Sequence, residues 1–336
     1  MKERPGLRQM THNERVGETL RGRATDRVPV SMWRHFFARE TSPEGLAEAM
    51  LAYQEEFDWD FMKVNPRASY HVEDWGVRTK YHGDAPPAVV EFPIGIPEDW
   101  KRIRVLDTRR GVLGEHLKAL EMITSRLRGS LPVLMTIFNP ISVASRLAPS
   151  EEVFLKHLRE DRDKLVPAME AITATFAAFS AACIERGVSG LFFATTAWAT
   201  TARLSEQEYA EFARPFDLKL LAALPAAEFH ILHVCHDHNM LRSLSDYPVH
   251  AFNWDCLAAG NASLPEGKNI VRGKAVIGGV PIGKALIDAQ PAEITRQLRA
   301  LHGAAGTTGW MLGTGCTYDP STPAANVRAV RDAVGP

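Results

Sequence analysis

Cysteine is scarce in this chain: Cys183, Cys235, Cys256 and Cys316 are all there is among 336 residues. Three of the four stand at possible ligand positions, which suits a reducing compartment better than a disulfide framework. An excess of charge of either sign is also missing, since 39 basic and 40 acidic residues leave a net charge of −1. A surface that tracks phosphates shows a basic excess or stripe, so no nucleic-acid partner is expected. The basic run from Arg102 to Arg110 is interrupted by Leu106 and Asp107 and reads as a solvated loop or helix start. No segment reaches the ~18 apolar residues of a membrane span. The opening Met1-Lys2-Glu3-Arg4-Pro5-Gly6 has no apolar stretch of an export signal. A cytoplasmic protein without a membrane partner is the expectation. Repeats, linkers and low-complexity tracts are absent as well, so nothing forces a second domain.

What is present is an ordinary globular composition, 45% hydrophobic and 24% charged, which can bury a sizeable core. Short β-branched and aromatic runs alternate with amphipathic stretches throughout. Eight candidate strands are 28–33, 60–65, 133–138, 190–194, 229–234, 249–254, 275–278 and 310–313. Helical patterns between them cover 45–57, 114–127, 151–186, 205–224, 291–302 and 323–333. Eight such units imply an α/β fold closed as a (β/α)8 TIM barrel, one domain over 1–336. An open doubly wound sheet shares this local pattern, but no Gly-x-Gly-x-x-Gly follows the first strand. Residues 66–130 separate strands two and three, and the Gly-, Pro- and aromatic-rich part, 70–110, predicts a hairpin or cap over the barrel mouth.

The sharpest chemical signal is His233-x-Cys235 at the end of the fifth candidate strand, answered by Cys316 after the eighth. In a strand, residues i and i+2 share a face, so His233 and Cys235 can grip one ion together. One imidazole and two thiolates make three soft ligands and leave a fourth position open, the arithmetic of a catalytic zinc. Taken singly, each of the three is better explained as structural, free cysteine being a small buried hydrophobe. Cys183 reads as core and Cys256 as a reserve ligand. Alternation sends His236 to the opposite face, while Asp237 reads as an N-cap and His238 as the start of the next helix. Asp255 and Glu73 are candidate carboxylates for a resting fourth ligand or a proton acceptor. At the barrel rim, Arg34 and His35 can hold an anionic tail by charge-assisted hydrogen bonds, or Arg34 can tie down a loop. Lys63 and Asn65 can bind substrate, or serve structurally inside the barrel.

Laid out this way, the chain resembles the uroporphyrinogen decarboxylase superfamily, and within it the corrinoid-dependent methyltransferases. The resemblance runs from Asn13-Glu14-Arg15 and Thr25-Asp26-Arg27-Val28-Pro29-Val30, through Glu185-Arg186-Gly187-Val188-Ser189-Gly190, to Gly315-Cys316, Pro320-Ser321-Thr322-Pro323 and Asn326-Val327-Arg328. In that branch a His-x-Cys…Cys motif holds zinc, and the matching positions are His233, Cys235 and Cys316. The resemblance implies that zinc binds an acceptor thiol, which attacks a methyl group on cobalt. The decarboxylase branch has a tandem-arginine motif after strand one; here Arg34 matches, the second arginine is displaced and the preceding glycine is lost. A histidine that the decarboxylases carry near the last strand is replaced by Thr314 and Cys316, so porphyrinogen decarboxylation is not expected. Asp237-His238-Asn239 lacks the spacing and glycine of a corrinoid-binding segment. Methylcobalamin is therefore expected on a separate corrinoid protein docking over the mouth, with a small thiol such as coenzyme M, or a pterin, as methyl acceptor. The rival expectations are a lyase acting on a carboxylated substrate through Arg34, and a catalytically silent paralogue that binds the corrinoid protein.

Overall fold

The structure is a computed structural model that describes residues 8–335; the Met1–Gly6 stretch read above for an export signal lies outside the described residues. Among the described residues ten strands form: β1 (Val30–Ser31), β2 (Met62–Val64), β3 (Arg78–Lys80), β4 (Ala88–Glu91), β5 (Val133–Phe138), β6 (Gly190–Ala194), β7 (Ile231–Val234), β8 (Ala251–Trp254), β9 (Ala275–Val280) and β10 (Trp310–Thr314). Eight of them make one parallel sheet in the order β1-β10-β9-β8-β7-β6-β5-β2. Its two edges meet where the Asp60 N–H donates to the Val30 carbonyl at 2.9 Å and the Ser31 hydroxyl to the Phe61 carbonyl at 2.7 Å. The result is the (β/α)8 barrel, and every one of the eight strands lies within or across the stretch that its apolar run marked.

Inward-pointing residues from alternate strands fill the barrel. Trp33, Phe61, Leu134, Phe192, Ile231, Ile277 and Met311 form an interior cluster of their own, so the barrel is a packed core and not a pore. Two helices expected as continuous are broken. The 205–224 pattern becomes Glu206–Phe212 and Arg214–Ala222, because Pro215 has no N–H to give and opens a new helix at its first turn. The 151–186 pattern breaks at Asp161 into Glu151–Glu160 and Arg162–Glu185. That second helix corrects the expectation about membrane spans, since by length and composition it is apolar enough to cross one. In this fold most of it is buried, as a core helix is.

The connection between β2 and β5 carries a short helix, the antiparallel β3–β4 hairpin and the barrel's regular crossover helix Gly111–Leu127. At the opposite, amino-terminal end of the barrel, buried Asp60 accepts from Arg15 (2.6 Å), Arg27 (2.5 Å), His12 (3.0 Å) and the Val30 N–H (2.8 Å). This clasp ties the first helix, β1 and β2 together, on the face that in barrels serves stability rather than chemistry.

Candidate metal centre

His233 is the third residue of β7, Cys235 follows the strand's last residue, and Cys316 lies two residues beyond β10. Although β7 and β10 are not neighbours in the sheet, the barrel's curvature brings their carboxyl ends together. One ligand atom from each of the three lies within 4.8 Å of the others, and the two sulfurs are 3.7 Å apart.

His233 is oriented by a residue the sequence reading passed over. Register pairs it with Asn253 on β8, whose Oδ1 lies 2.7 Å from His233 Nδ1. The Asn253 amide nitrogen donates to the carbonyls of Ile277 and Thr314, both at 3.0 Å. That leaves only an acceptor oxygen to face the imidazole, so Nδ1 donates to it and Nε2 is the nitrogen left for a metal. An imidazole oriented in this way is how proteins prepare a histidine ligand. The two thiols behave as a pair. Cys235 donates to Cys316, which pushes Cys316 well below the usual thiol range with help from His233, and pushes Cys235 well above it, with burial adding to the rise. A cation bound between them would take both sulfurs as thiolates, with release of their protons.

Among the described residues the cluster contains no fourth protein ligand. The Asp255 side chain accepts from the Leu257 N–H, and Glu73 is paired with Arg67 and Ser69. Cys256 and Cys183 are buried elsewhere. His236 and His238 stand in an exposed loop at positive φ, 68° and 47°. This corrects the expectation that Asp237 caps a helix beginning at His238: no helix starts there.

The cluster opens onto a cavity of about 280 Å³ lined by Trp33, His35, Lys63, Asn65 and Phe192 among others. Lys63 is buried, donates to Asn65 Oδ1 at 2.6 Å and lies 4.8 Å over the Phe192 ring. Burial pushes its ammonium down to about 7, opposed by the negative charge of Cys316 and Cys235. His35 Nδ1 is held 3.0 Å from the buried carboxylate of Glu40, which also accepts from the Phe36 and Ala68 N–H groups. The structure therefore gathers His35, Lys63 and Asn65 around the cysteines. Arg34 is not on the cavity wall; it donates to the Pro320 carbonyl and ties down that loop.

With this geometry in place, the chain can be set beside known proteins. The family model for uroporphyrinogen decarboxylase (URO-D) matches residues 11–335. The chain belongs to this family. Two relatives that it resembles, both from Methanosarcina mazei, are methyltransferases. One is a methylated-thiol–coenzyme M methyltransferase, 23% identical over 63% of this chain and 55% of its own length. The other is a methylcobamide:CoM methyltransferase, 22% identical over 72% of this chain and 69% of its own. The match thus spans about half of the first relative. Among solved structures, a methyltransferase from Methanosarcina mazei superposes with a TM-score of 0.84 at 22% identity, covering 97% of this chain and 98% of that one. A B12-independent methionine synthase from Shewanella sp. W3-18-1 shares the fold more loosely, with a TM-score of 0.59 at 13% identity, 91% of this chain and 95% of that chain being covered. For this URO-D family member the two likenesses show a common barrel.

Proposed function

We propose that this URO-D family member is a zinc-dependent methyltransferase that moves a methyl group between a corrinoid carried by another protein and a small thiol acceptor. The observation that carries the reading is the three-ligand cluster of His233, Cys235 and Cys316, open on one side to a cavity at the carboxyl rim of the barrel. The donor set fits zinc: one imidazole nitrogen with its tautomer set by Asn253 and two sulfurs 3.7 Å apart. When bound there, zinc supplies a Lewis acid that holds an acceptor sulfur as thiolate near neutral pH. The names of the two Methanosarcina relatives support the same assignment.

The chain's own residues do the rest. Asn253 keeps His233 in one orientation and one tautomer. Trp33 and Phe192 give the cavity apolar walls that exclude water, and Lys63, with Asn65 as its acceptor, places a positive charge near the sulfurs. His35, braced by Glu40, offers a second polar contact from the rim. In the transfer itself the acceptor sulfur bonds to the methyl carbon while the carbon–cobalt bond breaks, its electron pair remaining on cobalt. The corrinoid protein docks over the mouth, in a cytoplasmic setting.

Metal analysis of the purified chain, together with spectroscopic loss of methylcobalamin on adding thiols, tests this reading. One zinc per chain and thiol-dependent demethylation are expected. A protein that retains no zinc under these conditions returns the lyase and the silent paralogue to the front.

A further inference from the structure

The central cavity does not end at the barrel wall. A second chamber of about 440 Å³ lies beneath the β3–β4 hairpin, and the two share Ala68, His71, Pro86 and Arg146 as a common throat. Val72, Val77, Val89, Phe92 and Trp198 give the second chamber a largely apolar wall. The throat is different in chemistry. Arg146, on the helix Pro140–Leu147, has no hydrogen bond or ion pair among the described residues. It is exposed, lines both cavities and has Arg203 near enough to repel it. The one carboxylate on either lining is Glu151, and that is held by Arg203 at 2.9 Å. Beside Arg146 stands His71, 5% exposed, whose Nδ1 is buried with no partner. An unpaired guanidinium on the lining of both cavities, with no carboxylate left free to neutralise it, can take an oxyanion by charge-assisted hydrogen bonds.

We propose that the acceptor of this enzyme is a two-part molecule. Its thiol enters the central cavity, a carboxylate or other oxyanion close to that thiol sits on Arg146 at the throat, and an apolar substituent fills the chamber under the hairpin. A compact thiol acid with no apolar extension would leave that chamber to water. The inference rests on the central cavity being a thiol site, while the subsite itself is defined by Arg146, His71 and the chamber walls.

S-methylated N-acylcysteines test it, because they report the subsite without a metal–sulfur bond. Calorimetry on the folded protein should show S-methyl-N-benzoylcysteine binding about tenfold or more tightly than its neutral amide, the scale of a hydrogen-bonded charge pair. It should exceed S-methyl-N-acetylcysteine by a similar factor. Arg146→Met should abolish the preference for acid over amide, with Arg146→Lys restoring part of it. Val89→Trp, on the exposed hairpin, should fill the chamber and remove the preference for benzoyl over acetyl. Equal binding of acid and amide to the unaltered protein, or an equal loss of both in Arg146→Met, would overturn the proposal. If thiols demethylate methylcobalamin but acid and amide bind alike, the subsite is wrong and the methyl-transfer reading stands. If the affinity order holds and no thiol is methylated, the subsite stands and the methyl-transfer reading falls.

Discussion

In the proposed metal centre, Cys316, Cys235, His233 and Asn253 would divide the work unequally. Removing a thiolate ligand removes a bond, whereas removing Asn253 only frees the imidazole to rotate and change tautomer. Cys235→Ser and Cys316→Ser should therefore lose zinc on dialysis against a mild chelator, with circular dichroism unchanged because the barrel has a core of its own. Asn253→Ala should keep zinc but bind it roughly ten- to a hundredfold more weakly, as for other outer partners of metal-bound histidines; chelator competition measures this. Arg34 shows the opposite outcome at the same scale. Its sequence position beside strand one suggested a rim anion site, and only the backbone of a distant loop, Pro320, decided that it serves as a tie.

At the scale of elements, the strand ends and loops of the mouth are held by close approaches that leave no slack. A Cβ built on Gly315 would lie 2.5 Å from Asp255 Cα, so Gly315→Ala must push the β8 loop and, one residue on, Cys316. Zinc affinity should fall by about tenfold with little change in thermal midpoint, read by chelator competition and calorimetry together. A second link is Asp217 on helix Arg214–Ala222, fully buried, which accepts from Tyr209 (2.7 Å), Tyr247 (2.9 Å) and Asn139 (3.1 Å). Asn139 in turn caps the helix that carries Arg146. Burial outweighs these donors and pushes the Asp217 carboxyl up to about 7. A raised acid pKa means that the folded state prefers the protonated form. Its stabilising contribution is full below the unfolded value of ~3.9 and is lost as pH rises through about 7. Asp217→Asn lacks this dependence, so between pH 4 and 7 the unaltered protein should lose up to ~4 kcal/mol relative to the variant. Urea unfolding at several pH values measures the difference.

The whole molecule separates its chemistry from its fastening. The proposed metal centre and the cavities lie at the carboxyl rim, while the Asp60 clasp closes the other end through Arg15, Arg27 and His12. Asp60→Asn leaves buried Arg27 without a counter-charge, Arg15 keeping Asp26, and should cost about 3–5 kcal/mol in urea unfolding. Zinc content of the folded fraction should be unchanged, since no ligand is touched. A loss of zinc with no loss of stability would show that the two ends of the barrel are coupled, contrary to this division.

The sequence by itself determined what depends on short-range pattern. Eight apolar runs with helical stretches between them specify a barrel, because a buried parallel strand must be apolar on both faces. His233 and Cys235 were legible as a pair because strand alternation is local. The break at Ala213 was signalled by Pro215 and went unread. What remained depended on register and curvature, which no local spacing encodes. Cys316 meets Cys235 because β10 and β7 curve toward one axis, and Asn253 faces His233 because β8 pairs with β7 in that register. Arg146 and His71 come from segments more than seventy positions apart, and they line one throat because the helix Tyr70–Glu73 packs against Pro140–Leu147. Pairwise proximity across a closed sheet is set by the closure, and closure is a property of the folded chain.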